Sequence, residues 1–107
     1  MKFLIITRNR GNAAVPAAAM PAIIEATKAF ITRGRNSGKW DAIYAHPGGG
    51  VAIANHDTAE DLQAWLADYP FNALQDIEVL PLSDVEKSLD KFLQVARQTA
   101  ALVGGGS

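Results

Sequence analysis

Cysteine is absent from this chain, which excludes disulfides, thiolate metal sites and thiol nucleophiles together. The same absence fits a reducing compartment, so the expected location is cytoplasmic. Histidine occurs only at His46 and His56, far apart and in different settings, and no metal site is expected. A surplus of one charge is missing as well: 10 basic and 11 acidic residues leave a formal net charge of -1. With no basic stripe to neutralise phosphates, nucleic acid is not an expected partner. Apolar runs fall far short of the ~18 residues that span a bilayer, and no basic leader precedes one, so no membrane partner is expected either.

What remains is a chain of one-domain size, 107 residues, with 49% hydrophobic and 20% charged residues. Such a chain buries about 65% of its unfolded surface, enough for one modest core. Apolar content this high with few charges suits a protein that hides further surface between subunits.

The opening Lys2-Phe3-Leu4-Ile5-Ile6-Thr7-Arg8 is apolar on both alternate faces and predicts a buried central strand. Asn9-Arg10-Gly11-Asn12 reads as a turn. Pro16 and Pro21 postpone a helix interior to about residue 20. From there Met20, Ile23, Ile24, Thr27, Phe30, Ile31 and Gly34 keep helical spacing, and Asn36-Ser37-Gly38 ends the run. The basic cluster Arg33 to Lys39 is then a helix C-terminus, where cations complement the carbonyl end.

Residues 39–46 and 51–56 predict two strands of a hairpin joined by the four-residue linker Pro47-Gly48-Gly49-Gly50. That glycine run lacks the lysine and following helix of a phosphate-binding loop. Thr58 caps a second helix with Leu62, Trp65, Leu66 and Tyr69 on its apolar face, and Pro70 stops it. Residues 76–82 form a last strand, which Pro81 confines to an edge or a terminus. Ser83-Asp84-Val85-Glu86 has the capping-box pattern and opens a helix to about Leu102, with Val85, Leu89, Phe92, Leu93 and Ala96 on one stripe. The expected domain is residues 1–103, and residues 104–107, Gly-Gly-Gly-Ser, read as a flexible tail.

The resulting order, β-α-β-β-α-β plus a C-terminal helix, is the α+β ferredoxin-like arrangement. Its sheet carries helices on one face only. Ile43, Ile53, Ile77 and Val79 are not all expected to point at those helices, so a second copy is the expected cover and a homodimer through the sheet face, with higher assembly left open, the expected assembly.

The middle of the chain resembles the muconolactone isomerase family of dimeric α/β barrels. The resembling residues are Gly38-Lys39-Trp40, the strands around Tyr44 and Val51 to Asn55, Asp57 with the helix after it, Tyr69-Pro70-Phe71, Asp76-Ile77-Glu78-Val79 and Pro81-Leu82. The resemblance implies a cavity between sheet and helices, a small-molecule ligand, and a cofactor-independent activity that moves a ring double bond in a carboxylated lactone. Such chemistry needs a base, an acid and donors that hold enolate and carboxylate.

Candidate residues for those roles are few. His46, at the end of a strand, and Glu25, on the first helix, are the candidate proton-transfer groups. Arg8 is the candidate carboxylate clamp, whereas Arg10 reads as a surface residue. Trp40 and Tyr44, at alternate strand positions, are expected on one pocket wall, and His56, within reach of a bridge to Asp57, is a further substrate-binding candidate. Each also has a plain structural reading: turn or surface histidines and arginines, core aromatics, and a Glu25–Lys28 pair in solvent. Two other functions fit the same scaffold, a non-catalytic small-molecule-binding or accessory protein and a cofactor-free monooxygenase or cyclase.

Overall fold

A computed structural model describes residues 1–11 and 15–104, so Asn12 of the expected turn and residues 105–107 of the expected tail lie outside the described residues. The strands are β1 (Lys2–Asn9), β2 (Trp40–His46), β3 (Gly49–Asn55) and β4 (Gln75–Leu82); the helices are α1 (Met20–Asn36), α2 (Ala59–Ala67) and α3 (Val85–Gly104). The sheet is antiparallel in the order β2-β3-β1-β4. As expected, β1 is central and β4, with Pro81, is an edge. The α+β ferredoxin-like fold class therefore holds.

Period-two alternation sets the layers. Phe3, Ile5, Ala52 and Ala54 are buried on one face and pack with Leu62 and Leu66 of α2. Ile43, Ile77 and Val79 pack against this same cluster. The four residues thus do not all face the helices, as expected: Ile53 lies on the other face, paired with Leu4. That second face still carries apolar rows, Leu4 and Ile6 between Val51, Ile53 and Leu80.

The hairpin is tighter than its glycine count suggested. His46 pairs with Gly49, leaving a two-residue turn of Pro47 and Gly48. Gly48 takes φ +86°, the left-handed region that proline followed by glycine supplies in a type II turn. Gly49 is instead a strand residue; a β-carbon there would lie 2.7 Å from the Thr7 carbonyl carbon.

On α1, Phe30 and Gly34 are buried where the helix meets the sheet. Thr58 caps α2 by accepting the Asp61 N–H at 3.1 Å. At α3 the cap is Asp84 rather than Ser83: its Oδ1 accepts the Lys87 N–H at 2.9 Å, and Ser83 Oγ instead meets Ser88 Oγ. No helix among the described residues is long and apolar enough to cross a membrane.

Candidate functional site

Between the sheet and the two helices α1 and α2 lies a cavity of about 340 Å³, within the range of small-molecule sites. Its walls are mostly apolar, with Ile5, Phe30, Trp40, Ile43, Ala52 and Leu66 among them. These are the inward residues of β1, β2 and β3 and the sheet-facing residues of the helices, so the cavity follows from the same alternation that builds the core. Trp40 is fixed by its indole N–H, which donates to the Ile31 carbonyl at 3.2 Å.

Polar groups gather at one end. Thr7 continues the inward row of Phe3 and Ile5, and its Oγ1 accepts the Gly50 N–H at 3.0 Å. Tyr69, just past α2, donates its hydroxyl to Gln75 Oε1 at 2.6 Å. Gln75 Nε2 donates in turn to Asn9 Oδ1 at 2.7 Å. Burial raises the Tyr69 phenol above its ordinary range, only partly opposed by a hydrogen bond with the Thr7 hydroxyl. It therefore stays protonated at neutral pH and serves as a donor. Among the described residues, Arg35 is the one charged side chain lining the cavity, and it lies in the last turn of α1.

The sequence-predicted candidates do not converge here. Trp40 lines the cavity as expected. Tyr44 shares that lining, but its side chain is 70% exposed and its register partner is Val51, opposite Ile6 on the helix-free face. The expectation that Trp40 and Tyr44 share a face is corrected by a β-bulge between Trp40 and Ala42. The extra residue, Asp41, is held outward by Lys2 Nζ and Asn55 Nδ2, and it inverts the alternation beyond it.

His46 lies outside the cavity lining. Its ring nitrogens face the Thr7 and Pro47 carbonyl oxygens, at 3.1 and 3.0 Å. With Arg8 it lines a separate, shallower depression at the hairpin end of the sheet. Arg8 itself sits 3.5 Å from Glu78, and Arg10 sits 2.8 Å from Asp76. Glu25 is exposed on α1 and does not line the cavity.

His56 is buried, 3% exposed, beside Trp65 at 6.1 Å between ring centroids. Among the described residues, neither His56 Nε2 nor Trp65 Nε1 has a hydrogen-bond partner, and the expected bridge to Asp57 is not formed. Burial, then the Lys39 charge, lowers the His56 pKa, against smaller opposing effects of Asp61 and Asp57.

Thr7, Tyr69, Gln75 and Arg35 were not singled out from sequence. Thr7 was readable in principle, as the third inward position after Phe3 and Ile5. Tyr69 and Gln75 approach each other only through the loop after α2, which no periodicity describes.

The sequence profile of the muconolactone delta-isomerase family matches residues 1–88. The chain belongs to the muconolactone delta-isomerase family. Among solved structures, it resembles a muconolactone isomerase crystal structure with a TM-score of 0.70 at 20% identity, covering 78% of this chain and 90% of that one. It also resembles 5-chloro-2-hydroxyhydroquinone dehydrochlorinase from Burkholderia phenoliruptrix AC1100, solved in complex with 2,5-dihydroxybenzoquinone. There the TM-score is 0.57 at 15% identity, with 81% of this chain and 98% of that one covered. At these identities the likeness is one of fold. No curated protein matches the chain. All of Thr7, Arg35, Tyr69 and Gln75 fall inside the muconolactone delta-isomerase match, which ends within the first turn of α3.

Proposed function

We propose that this family member binds a small, carboxylated ring compound in the cavity beneath α1 and α2 and isomerises it without a cofactor. The observation that carries the reading is the cavity's polarity: apolar walls closed at one end by the Thr7–Tyr69–Gln75 cluster, with Arg35 the charged residue of its lining. A ring fits the apolar walls, and the guanidinium suits a carboxylate as a fork of donors. The protonated phenol of Tyr69, which donates to Gln75 Oε1 in this structure, would turn from that oxygen to donate to a ligand carbonyl that gains negative charge. Family membership supports isomerase chemistry, and the apolar rows around Leu4 and Ile6 support a homodimer joined through the sheet face. The cysteine-free sequence suits the cytoplasm.

One observation favours a second reading, binding without turnover. Isomerisation also needs a proton acceptor, and among the described residues no carboxylate or imidazole lines the cavity. His46 reaches its polar end only through the Thr7 carbonyl. The deciding experiment offers the protein a panel of small carboxylated lactones and follows both binding and solvent deuterium exchange into the ring. Exchange or a shifted double bond supports the isomerase. Saturable binding with no exchange establishes the binding protein, and no binding overturns both.

A further inference from the structure

The hydrogen bonds at the polar end of the cavity form one directed chain. The Gly50 N–H donates to Thr7 Oγ1 at 3.0 Å, the Thr7 hydroxyl is hydrogen-bonded to the Tyr69 phenol, and that phenol donates to Gln75 Oε1 at 2.6 Å. Gln75 Nε2 then donates to Asn9 Oδ1 at 2.7 Å. Asn9 and Gln75 are the last cross-strand pair of β1 and β4, which sets their amides side by side. Their surroundings differ. Gln75 is 7% exposed, whereas Asn9 lies open to solvent.

This direction commits the phenol's proton to Gln75. A phenol has one O–H to give, so the cavity meets the Tyr69 oxygen as an acceptor. The proposed function needs the opposite, a proton directed at the carbonyl of the ligand. Turning the hydroxyl alone would leave Gln75 Oε1 buried without a donor, at the full desolvation penalty of that atom. Reversing Gln75 alone would set its oxygen against Asn9 Oδ1, acceptor against acceptor.

Reversing both amides removes the conflict. Asn9 Nδ2 then donates to Gln75 Oε1, and Gln75 Nε2 donates to the phenol oxygen, whose own proton is released to the ligand. Each bond broken is replaced by another, and an amide carries its acceptor and its donors on one symmetric fork, so the packing is kept. The outer group of Asn9 faces water in either direction, so the chain reverses without stranding a buried atom.

We infer that Asn9 and Gln75 are positioning residues that switch Tyr69 from acceptor to donor, by a paired reversal of their amides when a ring carbonyl reaches the polar end of the cavity. The inference rests on the proposed reading of Tyr69 as donor to the ligand and names what releases its proton. Reversal also aims a second donor at the phenol oxygen, beside the Thr7 hydroxyl. Donors onto that oxygen favour its charged form, so the reversed phenol gives the stronger hydrogen bond. A ligand carbonyl contacts the phenol proton in the reversed state only, and this difference is what shifts the population.

Nuclear Overhauser contacts from the Gln75 side-chain N–H₂ report the reversal in full-length protein labelled with nitrogen-15. A saturated, carboxylated γ-lactone serves as probe, since it offers a carbonyl and a carboxylate and has no double bond to move. Free protein should show contacts from this N–H₂ to Asn9 and none to the Tyr69 ring; bound probe should bring the Tyr69 contacts up. Binding with unchanged contacts would overturn the switch and leave the cavity reading standing. Tyr69 contacts already present without probe would overturn the switch as well. No binding would overturn both.

Asn9→Asp and Asn9→Ala give a second reading. Position 9 is exposed, so both variants should fold, which thermal unfolding checks. A carboxylate only accepts and holds Gln75 in its present direction, whereas alanine releases it. Affinity for the probe should fall about tenfold in Asn9→Asp and less than about threefold in Asn9→Ala. The methyl ester of the probe should give the same ranking, which removes charge repulsion from the comparison. A merely structural role ranks the variants the other way, because Asn9→Asp keeps the bond from Gln75 Nε2 that Asn9→Ala loses. That ranking, or equal losses, would overturn the switch.

Discussion

The indole of Trp40 occupies the space a side chain at Gly34 would need. A β-carbon there would lie 2.7 Å from Trp40 Cδ1 and Cε2. The contact joins the last turns of α1 to the start of β2, and the Lys39 N–H donates to the Gly34 carbonyl at 2.8 Å beside it. Gly34→Ala would raise intrinsic helix propensity by about 1 kcal/mol. The collision with a ring, also tied to Ile31, costs about 1–3 kcal/mol as overpacking. The collision wins, so the variant should unfold at lower urea concentration with an unchanged m-value. A higher midpoint would show that the indole moves freely, and with it one wall of the cavity.

Tyr69 tests the polar end of the cavity. Tyr69→Phe removes the donor to Gln75 Oε1 while keeping the ring against Phe30, 5.6 Å between centroids. Stability should fall by about 1 kcal/mol, the usual net worth of a hydrogen bond. If the phenol donates to developing charge, turnover of an active lactone should fall about 10²-fold with little change in KM. An equal loss in kcat/KM carried wholly by KM would make Tyr69 a binding group only.

How much of this was readable beforehand differs between fold and site. The strand order followed from patterns that are local and periodic: the apolar run of β1, the Thr58 cap, and Pro81 marking an edge. The cavity was implied by the family resemblance, but its polar end was not read, because that cluster joins residues from β1, the loop after α2 and β4. Asp41 shows the same limit inside one strand. Period two alone puts Trp40 and Tyr44 together, but a bulge at Asp41, which Lys2 and Asn55 hold from two other strands, parts them. The α3 stripe was legible as a stripe, but amphipathicity does not say which surface it covers.

Arg35 tests the ligand's charge. Arg35→Gln should weaken a carboxylated ligand about tenfold, equivalent to about 1.4 kcal/mol. The affinity of the matching ester or amide should stay unchanged. Titration calorimetry at two salt concentrations measures both; the wild-type carboxylate affinity should weaken with salt and the variant's should not. Equal losses for acid and ester would remove Arg35 from the carboxylate's recognition.

His56 sets an acid limit on stability. Its folded-state pKa is lowered, chiefly by burial, so the native protein holds it neutral where an unfolded histidine, with an ordinary value of 6.5, begins to take a proton. Above that value both states are neutral and the residue contributes no pH dependence. As pH falls below it the unfolded state binds more protons, so stability declines until the folded-state pKa is reached. One proton limits the slope to about 1.4 kcal/mol per pH unit. Urea unfolding between pH 7.5 and 5 should show this loss, and His56→Phe should remove that part of it. An unaltered slope in the variant would assign the acid sensitivity to the carboxylates, with Asp41, whose pKa is lowered by Lys2 and Asn55, the first to examine.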